Sequence, residues 1–310
     1  MKRVASIRLS AAVAQVLPQQ GLVLFLPYDI ARLAWALVRS GSCNGTPLRI
    51  RRDQLDRPTY RRVISELLST GVLRAVTGAP QGSAFSLVGS NISDPRALLC
   101  ALDPFCYVSH LSAMEYHALT DRLPEMLYLS TPALPQWRGF ANDRMVKDLG
   151  EDLGAYRDQR LPGLYRSSVS KISQRTIHRY NSNHLGAFRT VKEPDFRVAT
   201  IGRTFLDMLR EPDLCGGLMH VLDVFRESAR PHLRLILDEI DQHGAGIDKV
   251  RAGYILEEIC SIRNERIDAW VIYARRGGSR KLNPTFEYSS TFSERWALSI
   301  NMSIPTEWMK

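Results

Sequence analysis

The chain has 310 residues, 45% hydrophobic and 24% charged, with a net charge of +9 and a pI near 9.5. This composition excludes a disordered or collagen-like chain and leaves room for two domains, each able to bury its own core. Five cysteines, odd in number and without a C-x-x-C pair, exclude a disulfide framework or zinc ribbon and fit a reducing cytoplasm.

The excess of positive charge points to a polyanionic partner. Residues 1–95 carry twelve Lys or Arg against five Asp or Glu, residues 157–192 eight against one, and residues 193–260 eight against thirteen. Apolar runs such as residues 22–26 are too short to cross a bilayer. Lys2, Arg3 and Arg8 precede an apolar patch in the manner of a signal peptide, but Gln15, Gln19 and Gln20 interrupt it, so neither a targeting segment nor a membrane span is expected.

In chain order, a helix is expected over residues 9–17, ended by Pro18, followed by a β-prone run over 22–26. Pro27-Tyr28-Asp29 opens a helix in which Ile30, Leu33, Ala34, Leu37 and Val38 share one face, with Arg32 and Arg39 opposite. Residues 41–46 read as a loop, and residues 48–55 as a short second helix.

Residues 55–88 are the centre of the reading. Asp56 caps a helix and Pro58 occupies its first turn, where no intrahelical partner is lost. At about 100° per residue, Tyr60, Val63, Ile64, Leu67 and Leu68 fall on one side and Arg61, Arg62, Ser65 and Glu66 on the other. Gly71 supplies the left-handed ending. Two strands follow, over 72–76 and 84–88, around a turn at 78–82.

A helix with an arginine-bearing face followed by a hairpin is the back half of a winged helix-turn-helix. In that module the helix enters the DNA major groove and the wing touches the backbone beside it. Arg49, Arg51, Arg52, Arg57, Arg61 and Arg62 place six arginines within fourteen residues, and some of them suit bidentate contacts to phosphate. The expected DNA-contacting set is therefore Arg49, Arg51, Arg52, Arg57, Thr59, Arg61, Arg62 and Ser65, with Arg74, Gln81 and Ser83 on the wing. The competing reading is a surface helix-hairpin with solvated arginines.

Residues 89–95 are polar and turn-rich and read as a boundary. The expected organisation is a winged helix-turn-helix domain over 1–92 and a larger mixed domain over 93–310, an α+β protein overall. In the second part, helix is expected over 96–102, an extended then helical run over 107–119, and a strand over 125–130. Residues 136–162 read as an irregular excursion, and residues 163–192 as basic antiparallel strands. Thr200 caps a helix over 201–211 that Pro212 stops. Further helices are expected over 218–228, 231–241 and 247–260, then a basic glycine loop over 275–281 and a strand over 296–301.

The order of YVSHLSAMEYHALTD (107–121), VATIGRTFLDMLREPDLCGGLMHVLDVF (198–225), RAGYILE (251–257), RRGGSRKLNP (275–284) and WALSIN (296–301) resembles the AbiEi family of antitoxins from bacterial type IV toxin–antitoxin systems. Its most specific piece is the RT-x-x-D-x-L-x-x-P-x-x-x-GG string from Arg203 to Gly217. The resemblance implies an autoregulating repressor that binds inverted repeats of double-stranded promoter DNA through its N-terminal domain. It also implies a C-terminal domain that counteracts a nucleotidyltransferase-type toxin without a stable complex. A dimer on a palindrome is compatible with this, although no heptad seam supports one without DNA.

The residues offer no catalytic constellation. His110 and His117, seven apart with Cys106 nearby, lack the i, i+4 spacing of a zinc pair. Asp207 sits one helical turn from Arg203, where an ion pair is the simpler role. Residues 276–281 lack the spacing of a nucleotide P-loop, and no G-x-S-x-G motif occurs. The expectation is a non-enzyme without metal or cofactor. The alternative is a nucleotide- or RNA-binding protein or enzyme that uses residues 157–192 and 275–281, with the winged helix as a docking module.

Overall fold

The computed structural model describes residues 6–22, 24–50, 54–77, 79–90, 94–172, 174–182, 185–192, 195–274 and 280–308. The elements begin with α1 (Leu9–Val16), α2 (Pro27–Ser40), β1 (Ser42–Cys43), β2 (Thr46–Pro47), α3 (Arg57–Ser69), β3 (Leu73–Ala75), β4 (Phe85–Leu87) and α4 (Pro95–Leu102). The middle holds β5 (Tyr107–Val108), α5 (His110–Tyr116), β6 (Met126–Pro132), α6 (Leu134–Leu149), α7 (Leu153–Asp158), β7 (Lys171–Ile172) and β8 (Arg175–Ser182). The remainder is β9 (Phe188–Val191), β10 (Phe196–Ala199), α8 (Ile201–Arg210), α9 (Leu218–His243), α10 (Gly246–Tyr254), α11 (Glu265–Ala269), β11 (Phe292–Ser293) and β12 (Leu298–Ser299).

These elements form two units, Met1–Cys106 with Pro132–Thr176, and Tyr107–Thr131 with Ile177–Lys310. The division expected after residue 92 therefore falls inside the first span of unit one. The chain leaves that unit at residue 106 and returns to it at residue 132. The cause is burial: Met145, Tyr156 and Leu161 join the core built by Val13, Tyr28, Trp35, Val63 and Phe85. Residues 136–162, expected to be irregular, are mostly the helices α6 and α7. Tyr156 packs edge-on against Tyr28 and Trp35, at centroid distances of 6.3 and 5.5 Å.

Polar contacts fix this return. The Tyr28 hydroxyl donates to Asp148 (3.0 Å) and the Trp35 indole N–H to Asp152 (3.1 Å). Asp29, at the start of α2, accepts from the Leu26 N–H at 2.9 Å and lies 3.7 Å from Arg144. Burial raises the Asp29 carboxyl above its ordinary range, against the pull of that N–H and of Arg144.

Unit two has the larger core. Strands β8, β6, β5, β10 and β9 neighbour one another in that order in its mixed sheet. β10 pairs parallel with β5 and antiparallel with β9. Thr200 caps α8 as expected, its hydroxyl oxygen accepting from the Arg203 N–H. Phe205, Leu206, Met208 and Leu209 from α8 pack with Val221, Leu222 and Phe225 from α9 in that core.

Two helix expectations change. The separate helices over 218–228 and 231–241 are one continuous α9, with Pro231 inside it. Pro231 and Glu227, whose carbonyl loses its partner, are both exposed, so water can take the freed bond. The helix over 247–260 ends at Tyr254 and continues as a π-turn, Ile255–Ile259. Trp296 is fully buried against Gly253, where a Cβ would land 2.1 Å from its ring, so only glycine fits.

Candidate nucleic-acid interface

The elements that position the expected DNA-contacting residues all lie in unit one. Asp56 accepts from the Thr59 N–H at 2.8 Å, fixing the first turn of α3, and Gly71 takes a φ of +68° just past its end. Tyr60, Val63 and Leu67 are buried, and the Tyr60 hydroxyl donates to the Pro27 carbonyl at 3.1 Å. That anchoring turns the opposite face outward, and Arg57, Arg61, Arg62 and Ser65 are all exposed on it. Leu68, expected on the apolar side, is 39% exposed and lies among these polar positions. Glu66, expected on the charged front, is half-buried and accepts from the Ser10 hydroxyl of α1.

The expected second helix is absent among the described residues of 48–55. Instead β1 and β2 form a small hairpin, and Leu48 makes an isolated parallel bridge to Ile7. Arg49 is exposed; Arg51 and Arg52 lie outside the described residues.

The hairpin β3–β4 pairs antiparallel, Leu73 with Leu87 and Ala75 with Phe85. Phe25 bridges Phe85 from the other side, adding a third strand position. Arg74 is exposed but tied back, its Nε donating to the Ser86 hydroxyl at 3.1 Å and its Nη2 to the Ser90 carbonyl. Gln81 is exposed at the tip. The Ser83 hydroxyl donates to the Pro80 carbonyl at 2.6 Å and so closes the turn, while the Ser83 carbonyl accepts from the Tyr165 hydroxyl at 3.2 Å. Tyr165 belongs to the returning segment, which thus braces the hairpin from a part of the sequence not expected to touch it.

No described residue forms an ion pair with Arg49, Arg57, Arg61 or Arg62. Arg49, Thr59 and Arg62 line a cleft of about 730 Å³ together with Arg8 and Ser10. Sequence reasoning missed Arg8; the signal was its place directly before the helix whose Ser10 meets α3. Arg57, Arg61 and Ser65 sit on the outward face of α3 beside this cleft, and Arg74, Gln81 and Ser83 belong to the hairpin.

His110 and His117 each bond to a different partner. His110 is fully buried, its Nδ1 2.8 Å from the Ser109 hydroxyl, while His117 Nε2 lies 2.7 Å from the Ala199 carbonyl. Burial lowers the pKa of both. No group of three metal-ligating side chains occurs among the described residues, and no described helix is long and apolar enough to cross a membrane. In the basic loop over 275–281 only Arg280 and Lys281 are described; residues 275–279 lie outside the described residues.

No protein-family model and no curated protein matches the chain. Among solved structures, the chain is similar to the RV2827C protein from Mycobacterium tuberculosis at 14% identity and a TM-score of 0.44, over 95% of this chain and 92% of that one.

Proposed function

We propose that unit one is a winged helix-turn-helix that binds double-stranded DNA, with α3 as the helix that enters the major groove. The observation that carries this reading is the outward face of α3, where Arg57, Arg61 and Arg62 stand exposed and without an ion pair among described residues. Order along the chain supports it: α1, the strand position at Phe25, α2, α3, then β3 and β4 around an exposed tip. On this reading α2 is the helix that sets the angle of α3, in place of the second helix expected over residues 48–55. Arginines here suit base edges and phosphates, because a planar guanidinium donates two parallel hydrogen bonds.

The chain acts, on this proposal, as a transcriptional repressor of its own promoter and, following the AbiEi resemblance, as an antitoxin against a nucleotidyltransferase-type toxin. Fluorescence anisotropy with the duplex upstream of the coding region tests the first part. The double variant Arg61→Ala/Arg62→Ala is expected to lose about 1–3 kcal/mol of specific binding for each base contact removed, and duplex affinity to fall steeply with salt. Unchanged affinity in the double variant sinks the assignment of α3. Co-expression with a neighbouring gene that carries nucleotidyltransferase motifs tests the second part: growth not rescued by this chain rejects the antitoxin role.

A further inference from the structure

The cleft beside α3 has room for a small molecule. Its volume of about 730 Å³ lies within the range of small-ligand pockets, about 300–1,000 Å³. Its lining divides by chemistry. Ile50 and Pro58, over the buried Leu9, Val38 and Val63, give an apolar wall that is the smaller share of the lining, whereas Arg8, Arg49 and Arg62 give three cations. Two acids also line it, but each already accepts a hydrogen bond: Glu66 from the Ser10 hydroxyl and Asp56 from the Thr59 N–H. The three arginines make no ion pair with a described residue. The lining therefore sets three guanidinium groups against two carboxylates, each of which is oriented by a hydrogen bond from its own neighbour.

A phosphodiester running past this face would meet the arginines but leave the apolar wall uncovered. A small molecule with an anionic head and an apolar or flat body meets both, the head on the guanidinium groups and the body on Ile50 and Pro58. We infer that this cleft binds a small organic phosphate ester, and that its occupancy competes with DNA because Arg49 and Arg62 serve both ligands. The competition rests on the DNA-binding reading; the site itself does not.

The test is calorimetric titration of the full chain with adenosine monophosphate, adenosine and inorganic phosphate, followed by duplex anisotropy with and without the nucleotide. Adenosine monophosphate is expected to bind one site, with adenosine and phosphate each at least about tenfold weaker, because neither alone meets both walls. Arg8→Ala, an exposed position outside the proposed duplex-reading face, is expected to weaken the nucleotide about tenfold, with an unchanged melting temperature. Saturating nucleotide is expected to weaken duplex binding several-fold. Absence of nucleotide binding, equal affinity for bare phosphate, or unchanged affinity in Arg8→Ala overturns the site. Nucleotide binding with unaltered duplex affinity overturns the competition alone. If no duplex binds but the nucleotide does, the DNA-binding reading fails and the cleft stands.

Discussion

Arginine has two fates in this molecule. On α3 of unit one, Arg57, Arg61 and Arg62 are exposed and make no ion pair with a described residue. In unit two, Arg203 is 2% exposed and holds Asp207 at 2.7 Å, with Glu239 at 3.9 Å. Arg210 pairs with Asp248 at 2.7 Å, and Arg266 with Asp241 at 2.6 Å. Burial alone disfavours the Arg203 charge, but Asp207, Tyr107 and Glu239 together outweigh it and its pKa is raised. The same side chain therefore serves the fold where carboxylates surround it and remains available to a partner where they do not. Total charge does not distinguish these fates; the neighbours do.

The largest effect expected from this contrast lies in unit two. Asp207→Ala removes the 2.7 Å carboxylate partner of the buried Arg203 guanidinium, and is expected to cost about 3–5 kcal/mol in denaturant unfolding. A loss below 1 kcal/mol would show that the pair is solvated in solution.

The pH dependence of the same unit comes next. Burial holds His110 below its ordinary value of 6.5, with Asp207 and Glu211 pulling the other way. His117 and His220 are lowered by burial too. The unfolded chain therefore takes up protons first as pH falls through about 6.5, so stability is full above that pH and falls below it, by up to about 1.4 kcal/mol per pH unit per proton. Glu239, raised by burial, works in the opposite direction as the pH approaches its titration. His110→Asn keeps a residue that tolerates the φ of +51° and is expected to flatten the fall between pH 7 and 5. An identical slope in the variant would mean that His110 titrates alike in both states.

Smaller still is the cap of α3. Asp56→Ala removes the acceptor of the Thr59 N–H and is expected to cost about 1 kcal/mol of thermal stability, within the 0.5–2 kcal/mol seen for such caps. The smallest effect is the most discriminating: Arg61→Ala/Arg62→Ala is expected to leave stability within about 0.5 kcal/mol. If the double variant unfolds readily, these arginines belong with Arg203 and the contrast breaks down.

The parts of the fold legible in the sequence were those specified locally. Asp56, Gly71 and the hairpin after them sit where their turn chemistry places them, because capping and left-handed geometry need only near neighbours. Thr200 and the apolar face of α8 were readable for the same reason. Residues 48–55 were not, since the run of arginines there carries no periodicity to separate helix from loop. Trp137, Ala141 and Met145 do recur at helical spacing in α6. However, its glycine and mixed charges masked them, and the aromatic residue it serves, Tyr28, lies more than a hundred positions away. Of the residues named on α3, Arg57, Arg61, Arg62 and Ser65 are exposed as their helical spacing implied, whereas Arg8 joins the cleft beside them only because folding brings α1 against α3.

The excursion of the chain out of unit one at residue 106 and back at residue 132 has a consequence for synthesis. Tyr156 and Met145 are core residues of the N-terminal unit, so the ribosome must have released roughly half the polypeptide before that unit can close. A nascent chain stalled before this point, or a gene fragment cut near residue 92, exposes Tyr28 and Trp35 to water and is expected to be degraded or to aggregate. Any control exerted through α3 would therefore begin only once translation has passed well into the second half of the message.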